Sequence, residues 1–269
     1  MKAAALQLPT GLSREDAIVL THQLIDEAAS QGAGLVVLPE LFAVPFVQPE
    51  PDPEFFAWAE PLDGPSNTMV REASAANGIT IVSSIFEETS VAGVYGNTAC
   101  TYVSGQLVDV YRKAHLPFSN GFPEKFYFRP GDKAPSVVES TVGPIGTIIC
   151  YERHFPELSR SVALDGGIAL CIPVACASAP MKEVFQLELR GHAVSNGLYV
   201  ICSNRSGLEK QKNYFGTSAV YGPMGEILAQ VDEGAGVAIA EIDPQAVAHA
   251  RRTRPFLRDR RPELYGKLG

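Results

Sequence analysis

The chain has 269 residues, of which 46% are hydrophobic and 19% are charged, and its formal net charge at pH 7 is −8. This is the composition of a globular protein with a large core, and the acidic balance argues against a nucleic-acid or anionic-membrane surface. The length permits one large domain or two small ones.

The cysteines and the apolar runs bear on the cellular compartment. Five cysteines are present, and no disulfide framework or zinc spacing emerges, which is typical of a reduced cytosolic protein. The apolar start of the chain is interrupted at Pro9 and Gly11, before a signal-peptide core is complete. Since no apolar run approaches the length of a membrane span, we expect a cytoplasmic protein.

The first half of the chain alternates between strand and helix signals. Ser13, with Asp16 three residues later, indicates the start of an amphipathic helix. A second helix is predicted between Ser66 and Gly78. Strands are predicted over residues 2–8, 35–38, 79–86, 97–103 and 106–112. The last two are separated by a short turn at Gly105, so they form a hairpin and the sheet is expected to be mixed.

The second half repeats this alternation. A helix is predicted from near Pro156 to Gly166, and another over residues 182–196. Strands are predicted over 145–149, 168–172, 198–202 and 236–242, with a hairpin over 218–228. Two segments rich in proline and aromatic residues, 42–53 and 113–132, are predicted as long loops, which are often functional. The simplest architecture is one α/β domain over residues 1–269, with helices covering a two-sheet core.

Cys150 is the sharpest candidate for chemistry. It ends an apolar strand, and polar residues lead from it into the helix that opens near Pro156. A strand-to-helix turn exposes the side chain and directs backbone N–H groups at it, which suits a nucleophile with an oxyanion site. An inert buried cysteine is the alternative from this segment alone.

Three further charged residues follow strands or lie among aromatics. Glu40 comes after a buried strand and could act as a general base or be a solvated glutamate. Lys113 follows the strand 106–112 and could stabilise an oxyanion or be an ordinary surface lysine. Glu124 lies among aromatic residues, as a rim residue or an active-site carboxylate.

The histidines offer a further base but no metal site. His154 lies four residues after Cys150, so a Cys–His dyad, a substrate contact and a solvent-facing ring are all compatible with the spacing. No pair of histidines has metal-ligand spacing, and phosphate-loop and dinucleotide-binding motifs are absent from the sequence. We therefore expect no metal and no organic cofactor.

Taken together, these segments resemble the nitrilase superfamily of carbon–nitrogen hydrolases. The matching segments are residues 38–40, 111–117 and 148–157, with supporting matches at 204–205, 215–218, 223–226 and 258–265. The resemblance runs through the chain in the family's order. It implies a four-layer α-β-β-α sandwich with two mixed sheets, assembled into a homodimer or larger homo-oligomer.

The same resemblance assigns roles to the candidate residues. It implies that Cys150 is the nucleophile, Glu40 the general base and Lys113 the group that stabilises the tetrahedral intermediate. Glu124 matches a second family glutamate that positions the substrate and Lys113. The implied reaction is hydrolysis of a small amide or N-carbamoyl substrate through a thioester, with release of ammonia.

The substrate branch is less sharply indicated. Residues 124–132 look like the N-carbamoyl amidohydrolases, including the N-carbamoylputrescine type. Tyr151, Arg153 and His154 are predicted to bind the substrate. Arg153 and His154 resemble the residues after the nucleophile in enzymes that act on N-carbamoyl amino acids, such as β-ureidopropionase. Arg153 offers a bidentate partner for a substrate carboxylate, or it forms a structural ion pair at the helix entry.

Other functions are weighed against this one. Residues 175–178 depart from the Pro-Ser/Thr-Ala run of carbamoylase relatives, which leaves the substrate open. An ω-amidase, an aliphatic amidase or a nitrilase would use the same Glu-Lys-Cys triad. A non-catalytic scaffold is opposed by the presence of all three triad residues.

Overall fold

The computed structural model describes residues 1–46, 50–119 and 121–266. Its strands are β1 (Lys2–Pro9), β2 (Ala33–Val37), β3 (Thr80–Glu88), β4 (Tyr95–Val103), β5 (Gln106–Arg112), β6 (Phe118–Ser119), β7 (Phe122–Pro123), β8 (Val137–Ser140), β9 (Gly143–Thr147), β10 (Ala169–Pro173), β11 (Tyr199–Ser203), β12 (Arg205–Glu209), β13 (Lys212–Phe215), β14 (Ala219–Tyr221), β15 (Ile227–Gln230) and β16 (Gly236–Glu241). Its helices are α1 (Arg14–Ser30), α2 (Pro65–Asn77), α3 (Glu124–Tyr127), α4 (Pro156–Leu164), α5 (Lys182–Asn196) and α6 (Pro244–Thr253).

Two mixed sheets pack face to face at the centre. The first has the order β13-β12-β1-β2-β3-β4-β5, with β16 also paired to β1, and the second has the order β15-β14-β11-β10-β9-β8. The first sheet contains the parallel run β12-β1-β2-β3 and the second the parallel run β9-β10-β11, and antiparallel strands extend both runs. This arrangement confirms the predicted pair of mixed sheets.

Three apolar clusters hold the layers together. Side chains such as Leu35 and Val82 of the first sheet meet Cys171 and Ile201 of the second. The outer face of the first sheet is covered by α1 and α2, and that of the second by α4 and α5. The predicted α-β-β-α order of layers is therefore present, and burial of these apolar surfaces drives the packing.

Local signals position the helices as the sequence predicts. The Ser13 hydroxyl caps α1 by accepting the Asp16 N–H at 3.0 Å. Helix α2 ends at Gly78, whose φ of 63° is left-handed, the conformation that favours glycine at a helix end. The predicted boundaries at Ser66 and Gly78 are correct to within one residue.

The structure adds elements that the sequence analysis does not contain. Helix α6 begins after its N-cap, Asp243, and buries Val247 and Ala250. Its apolar face is short and is followed by Arg251 and Arg252, so the helical pattern in the sequence is weak. The hairpin β12–β13 is also new, and α3 lies inside a segment predicted as loop. Parts of both predicted loops, residues 47–49 and 120, lie outside the described residues. Arg251, at the start of the arginine-rich tail, packs against the body of the same chain, since its Nη2 donates to the Gly167 carbonyl at 2.7 Å.

Across the described ranges, no helix is both long and apolar enough to cross a bilayer. All five cysteines are free thiols and are buried.

The strand ends bring three of the candidate residues to one region. Strand β2 leads to Glu40, β5 leads directly to Lys113 and β9 leads to Cys150. The Glu40 N–H donates to the Val174 carbonyl at 3.2 Å, which joins the first sheet to the segment after β10 of the second. Ligand sites of α/β proteins lie at such carboxyl ends of strands.

Gly131 and Gly191 give a matched test of packing beside Lys113. A Cβ on Gly131 would lie 2.1 Å from the Arg112 carbonyl oxygen, whereas one on Gly191, inside α5, meets no described atom within 4 Å. We expect Gly131→Ala to lower the free energy of unfolding by about 1–3 kcal/mol. Gly191→Ala should raise it by up to about 1 kcal/mol, the difference in helix propensity. Urea denaturation measures both, and equal shifts in the two variants would contradict this account.

Candidate active site

The carboxylate of Glu40 lies on a tight turn that a buried arginine holds in place. Leu41, the next residue, has a φ of 50°, an unfavourable left-handed conformation for a leucine. The Arg205 guanidinium, from β12, donates to the carbonyl oxygens of Glu40 at 3.0 Å, of Leu41 and of Val44 at 2.7 Å. These bonds satisfy a turn whose carbonyl groups would otherwise be buried without partners.

Cys150 occupies a second strained turn. Its φ is 48°, and it opens a short 3₁₀ helix, Cys150–His154, between β9 and α4. A non-glycine residue in this region costs on the order of 1–3 kcal/mol and is maintained only where the surroundings impose it. One such restraint comes from α5, where the His192 Nε2 donates to the Arg153 carbonyl at 2.7 Å.

Lys113 joins the two glutamates. Its Nζ donates to Glu40 Oε1 at 2.7 Å, and to Glu124 Oε1 and Oε2 at 2.8 and 2.7 Å. All three side chains are at most 1% exposed. The amide of Asn97, from β4, also donates to Glu40 Oε1, at 2.7 Å. The three bonds from Lys113 Nζ to the two carboxylates use all three protons of the ammonium.

Charge balance in this cluster sets its protonation. Two carboxylates share one ammonium, and burial together with the Glu40 charge raises the pKa of Glu124 to about 7, although Lys113 opposes the shift. For Lys113, burial lowers the pKa, but the charges of Glu124 and Glu40 outweigh it, so the pKa lies above its ordinary value. The lysine is therefore a permanent cation, and the cluster binds an additional proton near neutral pH.

The thiol of Cys150 lies within the field of this cluster. Burial and the Glu40 charge raise the pKa of Cys150 well above its ordinary value, although Lys113 and Arg153 act in the opposite sense. The thiol is thus protonated at neutral pH and requires a base to react. Among the described residues, Oε2 of Glu40 is buried and accepts no hydrogen bond, so one carboxylate oxygen is available to take a proton.

A cavity of about 210 Å³ opens onto the thiol. Its lining includes Glu124, Cys150, Tyr151, Arg153, His154 and Cys176. Arg153 donates from Nε to Glu188 Oε2 at 2.9 Å and from Nη1 to the Cys150 carbonyl at 3.1 Å. Nη2 of Arg153 lies 3.7 Å from Cys176 Sγ, so the outer edge of the guanidinium faces the cavity.

Glu188, on α5, joins two of the predicted substrate-binding residues. Its Oε1 lies 2.5 Å from His154 Nδ1, while its Oε2 holds Arg153. The ion pair at the helix entry and the cavity-facing guanidinium, which the sequence leaves as alternatives, are therefore both present for Arg153. The Glu188 carboxylate partly neutralises the positive charge that Arg153 brings to the cavity lining.

The structure brings every predicted site residue to this region. Glu40, Lys113 and Glu124 form one cluster, while Tyr151, Arg153 and His154 line the cavity with Cys150. His154 contacts Glu188 and the Tyr151 ring; no contact with the Cys150 thiol is among those found for the described residues.

Two polar residues beside the site are missed by the sequence analysis. Asn97 is a polar residue within an apolar strand, and Glu152 lies two residues after Cys150. A buried polar residue in a predicted core strand is the signal that could have identified Asn97. Over the part of the chain that the structure describes, no group of three or more His, Cys, Asp or Glu residues is arranged to hold a metal ion.

The chain is similar to proteins of known family. A family model described as carbon-nitrogen hydrolase matches residues 2–252. The N-carbamoylputrescine amidase of Arabidopsis thaliana is 32% identical over 267 residues, which cover 93% of this chain and 89% of the relative. The citrullinase of Francisella tularensis subsp. tularensis is 30% identical over 280 residues, which cover 100% and 98% of the two chains.

A solved structure is also similar to this chain over its full length. A crystal structure of a carbon-nitrogen hydrolase from Helicobacter pylori G27 has a TM-score of 0.94 and 33% sequence identity. The match covers 100% of this chain and 98% of that one, so the similarity extends over both sheets and all layers.

The extra proton on the buried cluster predicts a pH dependence of stability. Between pH 4.5, the ordinary pKa of a glutamate, and about 7, the folded protein holds a proton that the unfolded chain has released. Stability that depends on this proton is lost as pH rises through that window. Relative to Glu124→Gln, which lacks the ionisation, wild type should therefore lose free energy of unfolding between pH 5 and pH 8.

Urea denaturation of both proteins at several pH values measures this difference. Glu139→Gln, which removes an exposed carboxyl group on β8, is the control for the chemical change. A difference between wild type and Glu124→Gln that stays constant, or that moves in favour of wild type as pH rises, would contradict the assignment.

Proposed function

Because this chain belongs to the carbon–nitrogen hydrolase family and is an amidohydrolase, we propose that it releases ammonia from a small N-carbamoyl compound or primary amide. The observation that carries this proposal is the Lys113 ammonium. It is held by Glu40 and Glu124, close enough to the Cys150 thiol for the charges of Glu40 and Lys113 to act on the pKa of the thiol. Such a set supplies a base, a nucleophile and a fixed cation in one buried place.

The first proposed step is attack by Cys150. Glu40 Oε2 accepts the thiol proton as the sulfur bonds to the amide or ureido carbon. Deprotonation is coupled to attack because the raised pKa of Cys150 prevents a stable thiolate at neutral pH.

The second element is stabilisation of the oxyanion. As the carbonyl oxygen gains charge, Lys113 and the backbone N–H of Tyr151 bind it. Glu124 holds Lys113 through both carboxylate oxygens, so one of these bonds can be exchanged for a bond to the oxyanion. Glu124 thereby positions the lysine without becoming part of the covalent chemistry.

Collapse of the intermediate completes the reaction. The proton on Glu40 passes to the leaving nitrogen and ammonia departs, leaving a thioester from an amide or a thiocarbamate from an N-carbamoyl compound. A water molecule gives a proton to Glu40 and its oxygen bonds to this carbon. The carbon–sulfur bond then breaks, and the proton on Glu40 returns to the Cys150 sulfur. An amide yields its carboxylic acid, and an N-carbamoyl compound yields its amine and carbon dioxide. These steps use side chains, one backbone amide and water, without a metal or organic cofactor.

The cavity favours a short, linear substrate. A volume of about 210 Å³ limits the substrate to a small molecule. The names of the two relatives support an N-carbamoyl substrate. The apolar part of the lining, which includes Phe122, Ala175, Ala177 and Met181, also suits a short aliphatic amide. An ω-amidase or aliphatic amidase is therefore the second candidate.

The nucleophile is tested with a panel of N-carbamoyl amines, N-carbamoyl amino acids, aliphatic amides and nitriles. Wild type should release ammonia from at least one carbamoyl compound or amide, and Cys150→Ala should lose this activity entirely because no other group forms the acyl intermediate. Cys100→Ala, which removes a thiol packed under α2, is the matched control and should retain turnover. Turnover by Cys150→Ala would refute the mechanism.

The cavity-facing edge of Arg153 predicts a selective effect on substrates with a carboxylate tail. Arg153→Ala should raise KM for N-carbamoyl amino acids about tenfold or more, the loss expected for a charged hydrogen bond. KM for uncharged amides should change much less. Arg71→Ala, a guanidinium loss on α2, is the control. Equal increases in KM for both substrate classes would exclude Arg153 as the carboxylate-binding group.

A further inference from the structure

Glu152 joins the segment that carries Lys113 to the turn that carries Cys150. Its Oε1 accepts the Tyr111 hydroxyl at 2.7 Å and the N–H groups of Ala114 and His115 at 2.9 and 3.3 Å. Its Oε2 accepts the Ile149 N–H at 2.8 Å. The side chain is fully buried. One carboxylate therefore contacts residues on both sides of Lys113 and the residue directly before Cys150.

These two segments belong to different sheets. Lys113 continues from β5, the edge of the first sheet, and its N–H donates to the Asn97 carbonyl at 2.9 Å. Cys150 follows β9, inside the second sheet. Among the described residues, the hydrogen bonds found between segments 111–115 and 149–154 all end on the Glu152 carboxylate. The neighbouring contact is the stack of His115 on Phe155, with centroids 4.0 Å apart.

We propose that Glu152 is a positioning residue that fixes Lys113 Nζ relative to Cys150 Sγ, so that the lysine meets the oxyanion where it forms. This inference rests on the proposed function. Only an ionised carboxylate has two oxygens that can accept from one hydroxyl and three amides at once. A misplacement of about 1 Å between reacting groups can reduce a rate about 10²-fold, so a fixed connection between the two sheets has a direct effect on turnover.

Glu152→Gln is the sharpest perturbation. It keeps the shape of the side chain but replaces one acceptor by an NH₂ group that faces N–H or O–H donors. We expect kcat to fall about 10²-fold with KM nearly unchanged, since substrate binding in the cavity does not use Glu152. Glu157→Gln, the same chemical change at an exposed position on α4, is the control and should leave kcat unchanged.

Two probes separate positioning of Lys113 from general damage to the site. A short aliphatic aldehyde adds the Cys150 sulfur to its carbonyl carbon, and the thiol proton ends on the former carbonyl oxygen, which lies where Lys113 acts. Methyl methanethiosulfonate instead transfers its methylthio group to Cys150 and releases methanesulfinate without forming an oxyanion. In Glu152→Gln, the aldehyde inhibition constant should rise by the factor by which kcat/KM falls.

The rate of methylthiolation at Cys150, followed by mass spectrometry, should change less than about threefold, because that step needs no oxyanion stabilisation. An unchanged aldehyde affinity, or a methylthiolation rate that falls with kcat, would overturn the role of Glu152. Wild type that turns over no compound of the panel would refute the proposed function instead.

Tyr111→Phe provides a second variant if Glu152→Gln does not fold. It removes one donor and leaves the carboxylate with its amide bonds, so kcat and aldehyde affinity should fall together by about fivefold, as for one hydrogen bond. Full retention of both values in a folded Tyr111→Phe protein would also overturn the inference.

Discussion

The ammonium of Lys113 between two buried carboxylates is the interaction on which the site depends. A charge taken out of water is costly unless it is paired and hydrogen-bonded, and here one cation serves Glu40 and Glu124 together. The charges of these carboxylates keep Lys113 protonated. Burial, together with the Glu40 charge, keeps the Cys150 thiol from ionising before a substrate arrives. The proposed base, cation and nucleophile are thus set by one electrostatic environment.

The architecture supplies the geometry for this balance. Glu40 and Lys113 come from ends of strands in the first sheet, and Cys150 comes from the second, so the site exists only where the two sheets are packed. Two left-handed residues, Leu41 and Cys150, allow the chain to turn sharply at these ends. Arg205 and the network around α5 hold the turns. Apolar packing between the sheets therefore stabilises the proposed active site as well as the fold.

Much of this was predictable from the sequence. Alternating strand and helix signals gave the layers, and three motifs gave Glu40, Lys113 and Cys150 with the family. The missing parts depend on contacts between distant segments. In the sequence Glu152 is one charge in a polar run, and only the approach of the segment after β5 to the segment after β9 makes it an acceptor for both. Helix α6 was missed because its short apolar face buries just Val247 and Ala250, and the partner of Arg153, Glu188, lies on another helix.

The full occupation of Lys113 has a consequence for inhibition. Because its three protons are already bound by carboxylates, Lys113 itself is not open to chloride, acetate or another stray anion. In the proposed mechanism, an oxygen displaces one of these carboxylate bonds when its negative charge develops at a fixed distance, on a carbon already joined to Cys150. On this mechanism Lys113 binds the transition state more strongly than the ground state, which is the condition under which binding energy increases kcat.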